Sequence, residues 1–380
     1  MSAGFLVLSQ VAPLAGASGR VEVVFGLYGF ALTTVFGKAY SLVPAYFDRD
    51  LAWDGAPMVQ LPLVVAGVGC LALGVWVRDA PALDIAGAVC WTAGVAVFLG
   101  TVAATLRDNP TGAETGTGAA NAEREPLDRL ANAFVPVALA YLAVGTYELL
   151  AGALALPSPF GGVAARTAHL LGPGAALLLL FAVGYRVLPR FLSASPPRWL
   201  AAVVLCAGAL GPAALAWGYP GGTLFRVGAV LESTAVVGFA ASYLALFARS
   251  ERRRVGFYGP LAGVVLGCLG VALGALFAFE GLDASLTTVH FRVNVFGLLG
   301  LSIVGVVYQF YPPAVARWPA AGDRMAVASI AAIAGGLGIG AAAPLTSLPV
   351  GTAGAGLRTL GAVLFWYLAT GTINSQTSRT

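Results

Sequence analysis

The chain has 380 residues, of which 58% are apolar and only 10% are charged, and its mean hydropathy is +0.85. Soluble domains carry about 25% charged residues, so this composition excludes a water-exposed globule and makes lipid the solvent for most of the surface. The net charge of +4 does not indicate nucleic-acid binding, because most basic residues fall in short loops between apolar stretches.

Apolar stretches long enough to cross a bilayer, about 20 residues each, recur along the whole chain. The first apolar run, 4–16, is short and lacks a basic leader, which favours an interfacial segment or the remnant of a further span over a cleavable signal peptide. The predicted spans are 22–44, 57–77, 84–106, 133–156, 163–188, 199–219, 224–247, 257–280, 288–311, 325–345 and 356–373. The sequence therefore predicts an all-α, polytopic membrane bundle of about eleven helices, forming a single integral membrane domain over 1–380.

One long polar connection, 107–132, interrupts the apolar pattern, and its Gly- and Thr-rich composition predicts a flexible loop without chemistry of its own. The loops on the same side of the membrane as this connection hold fifteen Lys and Arg residues. The loops on the other side hold five, one of which is Arg358. Cytoplasmic loops are enriched in basic residues. We therefore expect a multi-pass protein of the cell membrane with its N-terminus outside and its C-terminus in the cytoplasm.

The four cysteines, Cys70, Cys90, Cys206 and Cys268, lie in apolar runs and form no C-x-x-C pair. This placement favours packing roles over disulfides or zinc ligation. No glycine-rich phosphate loop, zinc signature or serine-nucleophile motif is present in the sequence, so nucleotide hydrolysis and proteolysis have no support.

Three spans share the pattern G-x10-Y-x-x-x-P. Its copies are Gly29…Tyr40…Pro44, Gly174…Tyr185…Pro189 and Gly297…Tyr308…Pro312. They fall on the first, fifth and ninth predicted spans, so the pattern predicts four-helix repeats with pseudo-threefold symmetry. The prolines end helices, the glycines allow close packing, and the tyrosines are expected to be interfacial anchors.

Both histidines of the chain lie on these repeat spans. His169 precedes Tyr185 by 16 residues, and His290 precedes Tyr308 by 18. At 1.5 Å per residue, each is roughly 24–27 Å from its tyrosine, near the same end of its helix. A histidine inside a bilayer is costly, and it is usually functional or paired.

The ninth span reads His290-Phe-Arg292-x4-Gly297-x7-Gly305-x-x-Tyr308-x-x-x-Pro312. It resembles the tenth helix, H-x-H-x4-G-x7-G-x-x-Y-x-x-x-P, of haem-copper oxidase catalytic subunits, in the C-type branch and its nitric oxide reductase relatives. Arg292 stands where that family has its second histidine. The fifth span, with His169, is similar to the family's sixth helix.

The next span ends Gly211-Pro212-Ala213-Ala214-Leu215, which resembles the family's G-P-H-H-L with both histidines replaced. The resemblance covers essentially the whole chain, with the eleven spans corresponding to family helices two to twelve.

The resemblance implies a degenerate oxidase subunit. In the family, the counterpart of His290 binds the high-spin haem, that of Arg292 the low-spin haem, and those of His169, Ala213 and Ala214 bind copper. His290 is thus a candidate axial ligand of a single haem b, and His169 a residual copper-ligand position. One histidine beside two alanines should not hold copper, and both low-spin ligands are missing, so oxidase or nitric oxide reductase activity is not expected.

Arg292 lies at one of the two levels where the resemblance places low-spin haem ligands, and Glu22 or Val24 lies at the other, on a helix that faces it in the family. Because buried charges seek partners, we hypothesise that Glu22 and Arg292 pair across the haem space. The alternative is that Glu22 lies among headgroups while Arg292 extends to the interface. Two further membrane acids, Glu148 and Glu232, either relay protons and line a polar cavity or are hydrogen-bonded between helices and held protonated.

Three readings are open at this point. The chain is an oxidase-like subunit, with one haem for gas sensing or storage, or in assembly of a respiratory or denitrification complex. It is a haem-free carrier or channel that reuses the cofactor cavity. Or it is a purely structural partner in a larger complex. The lipid bilayer is a partner of the chain in all three readings. The first and third readings add the subunits of a respiratory complex.

Overall fold

The computed structural model describes residues 1–77, 80–346 and 350–377, and over these residues the secondary structure is helical throughout, without a strand. We number the principal helices α1 to α13. They are α1 (Ser2–Leu14), α2 (Gly19–Tyr46), α3 (Ala56–Trp76), α4 (Pro81–Leu106), α5 (Glu125–Ala133), α6 (Val135–Leu154), α7 (Ala164–Leu192), α8 (Arg198–Gly218), α9 (Thr223–Arg249), α10 (Tyr258–Glu280), α11 (Ala284–Phe310), α12 (Asp323–Ala342) and α13 (Val350–Thr377).

Within the described part of the chain, ten helices are long and apolar enough to cross a membrane, one fewer than predicted. All ten coincide with predicted spans. The eleventh predicted span forms α13, which has 28 residues but is not among the ten. It carries Arg358 and several polar residues, which dilute its apolar character. The chain is therefore a multi-pass, all-helical membrane protein by composition and helix length.

The segment predicted as a flexible loop, 107–132, contains more structure than its composition indicates. A 3-10 helix covers Ala119–Arg124, and α5 follows it directly. The Asn109 amide donates to the carbonyl oxygens of Phe47 and Glu114, at 3.0 and 2.8 Å. The Asn109 side chain thus donates hydrogen bonds to backbone carbonyl groups at the C-terminal end of α2 and within the segment itself.

The chain divides into two compact units. The terminal unit comprises Met1–Ala31, Phe247–Phe277 and Leu282–Thr380, and the central unit comprises Leu32–Leu246 and Ala278–Gly281. The boundaries between the two units fall inside helices α2, α9 and α10.

Three helices depart from α geometry, and they are the three that carry the repeated glycine–tyrosine pattern. π-helical segments occupy Val24–Leu32 in α2, Leu170–Leu177 in α7 and Val293–Leu301 in α11. Each contains its repeat glycine, and the other described helices contain no π segment. These are also the most buried of the ten spans, at 61%, 78% and 72%, against 33–50% for the other seven. Such π segments are rare in proteins and are frequent at functional sites.

The three repeat tyrosines make the same aromatic contact. The rings of Tyr40, Tyr185 and Tyr308 meet those of Phe98, Phe239 and Phe365 edge-on, with centroids 5.2, 5.7 and 5.7 Å apart. In the first two copies the phenylalanine also contacts a second ring one turn earlier, Phe36 or Phe181, at 4.8 and 4.7 Å.

The prediction that these tyrosines are interfacial anchors is wrong. Tyr40, Tyr185 and Tyr308 are only 6%, 2% and 2% exposed. The Tyr185 hydroxyl is hydrogen-bonded to Ser242 at 3.0 Å, and that of Tyr308 to Ser329 at 2.7 Å. A buried phenol needs such a partner, and neighbouring helices supply it to Tyr185 and Tyr308, whereas the Tyr40 hydroxyl has none among the described residues.

Glycine allows the closest helix pairs to meet through their backbones. In the terminal unit, a row of glycines along α10 faces α11, and a Cβ added at Gly259 would lie 2.5 Å from the Leu301 carbonyl oxygen. In the central unit, a Cβ at Gly67 would lie 2.7 Å from the Trp91 backbone nitrogen. Small residues at helix contacts are what membrane packing requires, since lipid offers no hydrophobic drive to associate.

We expect Phe239→Ala to lower the free energy of unfolding by about 3–5 kcal/mol, the usual cost of truncating a buried phenylalanine. Phe239 is 2% exposed and packs on both Phe181 and Tyr185. Thermal unfolding of the purified protein in detergent measures the change. Val237→Ala on the same helix is the control, because Val237 is 50% exposed; equal losses in both variants would contradict this account of the core.

Candidate functional site

Glu22 and Arg292 form a two-pronged ion pair in the terminal unit. Arg292 Nε donates to Glu22 Oε1 at 2.8 Å, and Arg292 Nη2 donates to Glu22 Oε2 at 2.9 Å. Glu22 is only 1% exposed, whereas the Arg292 side chain is 25% exposed. The predicted pairing is confirmed, and the alternative with two separately solvated charges is wrong. The parallel geometry is that of the strongest charge-assisted hydrogen bonds.

A second arginine, Arg358 of α13, completes this cluster and was misplaced by the sequence analysis. It was counted among loop residues, but it is buried inside a helix, 2% exposed, with Nη1 3.6 Å from Glu22 Oε1. Its stem packs closely against Gly336 of α12. The cluster thus combines one carboxylate with two guanidinium groups. An arginine within an otherwise apolar helix was the sequence signal that could have identified it.

Below the ion pair, α2 and α11 stay in direct contact for two turns. A Cβ added at Gly26 would lie 2.6 Å from the Phe296 ring, and one added at Gly300 would lie 3.5 Å from the Phe30 ring. Together with Glu22 and Arg292, these pairs are spaced four residues apart on both helices, in the same order. The two helices are therefore parallel and in contact over about 12 Å, with the Phe296 and Phe30 rings lying against glycines of the opposite helix.

His290 lies in the groove between α11 and α10. Its Nδ1 lies 2.9 Å from the Gly270 carbonyl oxygen, and its ring meets Phe277 edge-on at 5.6 Å. Because a carbonyl oxygen can only accept, Nδ1 carries the proton and the neutral ring has its lone pair on Nε2. Asn294, one turn on, donates to the His290 carbonyl oxygen at 2.8 Å.

The start of α11 is fixed by Asp283. Its carboxylate accepts hydrogen bonds from the Ser285 and Leu286 backbone N–H groups, at 2.8 and 3.2 Å. Bonds from the Ser285 hydroxyl and these N–H groups lower the pKa of Asp283. Such a cap satisfies donors that the first helical turn leaves unpaired. It sets where the helix begins, and hence the level of His290 and Arg292 along it.

His169 lies in the central unit and is held mainly by its own helix. Its Nδ1 lies 2.7 Å from the Ala165 carbonyl oxygen, one turn earlier, and its ring centroid is 6.4 Å from that of Tyr219. As for His290, the carbonyl contact places the proton on Nδ1. Among the residues with assigned positions, no group of three or more His, Cys, Asp or Glu side chains is arranged to hold a metal ion.

The motif Gly211-Pro212-Ala213-Ala214-Leu215 lies within α8, and the hydroxyl of Tyr141 from α6 contacts the helix there. Because Pro212 has no N–H, the Gly208 carbonyl oxygen loses its helical donor. The Tyr141 hydroxyl donates to the Ala209 carbonyl oxygen at 2.5 Å and accepts from the Ala213 N–H at 3.2 Å. It therefore bridges two backbone groups of α8 that are one turn apart.

The two remaining membrane acids have opposite surroundings. Glu148 is fully buried and accepts hydrogen bonds from the Ser158 hydroxyl and the backbone N–H groups of Phe160 and Gly162, so it organises the connection between α6 and α7. Glu232 of α9 is 6% exposed, and its Oε1 has no hydrogen-bond partner. The Glu232 carboxyl lies against Gly211, where an added Cβ would be 2.7 Å from Oε1.

A buried polar cluster in the central unit was missed altogether. Asp128, fully buried on α5, is paired with Arg190 at 2.6 Å and lies 3.6 Å from Arg186. Arg186, 2% exposed, donates to the Asn132 side chain at 2.6 Å, and its guanidinium stacks on the Tyr46 ring at 4.1 Å. Apolar length gives no sign of this cluster, because the acid lies in the polar segment and pairs with two cations at the end of α7, which are far from it along the chain.

Comparison with family models found no match, and neither did comparison with curated proteins.

We expect Glu22→Gln to destabilise the protein by about 3–5 kcal/mol, since it leaves the buried Arg358 and the partly exposed Arg292 without a counter-charge. Arg292→Met should cost less, because Arg358 then still neutralises Glu22. Thermal unfolding of the single variants and of the double variant gives the coupling between the two residues, expected at about 0.5–3 kcal/mol. Purely additive losses would show that the pair contributes nothing to stability.

Proposed function

We propose that this chain is a non-catalytic member of the haem-copper oxidase architecture. In this proposal it is an accessory or assembly subunit of a respiratory or denitrification complex in the cell membrane, and it holds at most one haem. The observation that supports this best is the Glu22–Arg292 pair. Its two members take the positions where the resemblance expects the two axial ligands of the low-spin haem.

The residues at the low-spin position do not fit a haem. A macrocycle ligated from both helices needs open space between them, with a ligand on either side. Here Glu22 and Arg292 are hydrogen-bonded directly to each other, and Phe296 fills the notch at Gly26. Without a low-spin haem, electrons have no route to an oxygen-reducing centre.

The residues at the copper position do not fit copper either. The side chains of Ala213 and Ala214 carry no donor atom, and the Tyr141 hydroxyl bonds to the helix backbone beside them. Copper favours several imidazoles, and His169 alone offers one. Terminal oxidase and nitric oxide reductase activities are therefore not proposed for this chain.

His290 does fit the role of a haem ligand in one respect. The Gly270 carbonyl oxygen fixes the protonated nitrogen as Nδ1, which leaves Nε2 as the donor atom, and ligating histidines are typically oriented by such a bond. A haem b bound there would supply an iron centre for diatomic gases. The same hydrogen bond also serves a haem-free protein, because it ties α11 to α10.

The proposed pseudo-threefold arrangement draws support from local structure. The three repeat helices share π segments that begin 15 or 16 residues before their tyrosines, and each tyrosine meets a phenylalanine two spans further along the chain. A repeat that was only a coincidence of sequence letters would not be expected to reproduce both backbone form and ring contacts.

The decisive test is the haem content and spectrum of the protein purified in mild detergent after expression with ample haem. We expect no six-coordinate low-spin spectrum and no more than one haem per chain. Any haem that is bound should be lost in His290→Ala and retained in His169→Ala, the matched control on another repeat helix. Two haems per chain, a low-spin spectrum, or stoichiometric copper with oxygen consumption would overturn the proposal.

A second candidate is a haem-free carrier, and the specific observation that favours it is Glu232. An ionisable side chain inside a membrane helix is typical of pumps and transporters, and Glu232 Oε1 has no hydrogen-bond partner. The purified protein in liposomes would show proton movement across the bilayer on applying a pH gradient, and Glu232→Gln would abolish it. Equal leakage from empty liposomes would reject this candidate.

A further inference from the structure

We propose that Glu232 is a proton-binding site within the membrane helices, with the Tyr141 hydroxyl and the Pro212 turn of α8 as its surroundings. The proposal does not depend on kinship with oxidases or on the transport of any particular solute. It depends on three features of the central unit: a buried carboxyl, the lack of a counter-charge, and a proline-containing helical turn beside it that is bridged by a tyrosine.

The carboxyl group is placed deep in a helix and is accommodated only because residue 211 is glycine. Glu232 lies nine residues after the first residue of α9, or about 14 Å along its axis. A Cβ at position 211 would lie 2.7 Å from Glu232 Oε1 and 3.1 Å from its carboxyl carbon. The backbone of α8 just before Pro212 thus forms the surface on which the carboxyl group rests.

No cation neutralises this carboxylate among the residues whose contacts are described. The nearest arginine on its own helix, Arg226, donates to the Ala278 carbonyl oxygen at 3.2 Å and lies over the Phe279 ring. On α6, the titratable neighbour is Tyr141, which supplies no positive charge; a deprotonated Tyr141 and a deprotonated Glu232 would repel each other. The other acid of α6, Glu148, is bound by the connection that follows it.

Burial without a counter-ion favours the neutral form of a carboxyl group, because taking a charge out of water costs several kcal/mol. Glu232 therefore holds a proton, and it can release that proton only when water or another acceptor reaches it. Beside it, the Gly208 carbonyl oxygen of α8 lacks its helical donor because Pro212 has no N–H, while the Ala209 carbonyl oxygen accepts from the Tyr141 hydroxyl.

Dicyclohexylcarbodiimide, an apolar reagent that reacts with protonated carboxyl groups, tests this directly on the wild-type protein. The carboxyl proton moves to a carbodiimide nitrogen, and the carboxylate oxygen bonds to the central carbon. The adduct then rearranges to a stable N-acylurea that keeps all atoms of both reactants. Peptide mass spectrometry of the full chain, labelled in detergent and in liposomes, locates the modified residue.

We expect labelling at Glu232 near neutral pH, with a rate that falls about tenfold per pH unit once the group deprotonates. Glu148 is the matched control within the same chain, since it is equally buried but accepts three hydrogen bonds; it should stay unlabelled. Glu232→Gln should remove the labelling, and size-exclusion chromatography of this near-isosteric variant verifies that it folds. Tyr141→Phe should change the pH at which labelling is half-maximal while keeping its site.

Two results would overturn the proposal. If Glu232 is unlabelled across the pH range while water-exposed acids react with a soluble carbodiimide, the group is not a proton-binding site that can be reached. If sodium ions at constant pH and ionic strength slow the labelling, the site binds a metal cation in place of a proton.

Discussion

The constraint behind most of this structure is the cost of leaving a charged or polar group unpaired where there is no water. The chain has few charges, and the buried ones other than Glu232 have a charged or hydrogen-bonding partner among the described residues. Glu22 is shared between Arg292 and Arg358, Asp128 between Arg190 and Arg186, and Glu148 among three donors. The two ion-pair clusters join elements that are distant in sequence, so the pairing of charge also selects which helices meet, whereas Glu148 holds the connection that follows its own helix. Glu232 stands out because it does not follow this rule.

The same constraint explains what could be predicted. Helix positions followed from apolar length alone, because in a bilayer the helix must satisfy its own backbone. The Glu22–Arg292 pair followed from the argument that two charges at one level seek each other. Both inferences rest on the free-energy cost of leaving a backbone group or a charge unpaired in lipid, which is larger than the effect of individual residue preferences.

The misses have physical causes as well. Tyrosine has an apolar ring and a polar end, so its sequence position cannot distinguish an interface from a core in which Ser242 or Ser329 accommodates the hydroxyl. The burial of Arg186 and Arg358 was not predicted, because the acids that pair with them are far away along the chain. The polar composition of 107–132 gave no sign of the contacts made by Asp128 and Asn132, which depend on tertiary structure.

The π segments have a consequence for how this protein tolerates insertions and deletions. A π turn accommodates one residue more than an α turn, and one residue corresponds to roughly 100° of rotation about the helix axis. Removing a single residue from Val293–Leu301 would therefore be absorbed by a return to α winding, and the parts of α11 on either side would keep their facing. His290 would stay beside Gly270, and Arg292 beside Glu22. The same deletion inside the α-helical part, Ser302–Phe310, would rotate the two sides of the helix by roughly 100° relative to each other and separate these contacts from those of Tyr308. The π segments are thus the places in these helices where the chain can lose a residue without re-aiming its chemical groups.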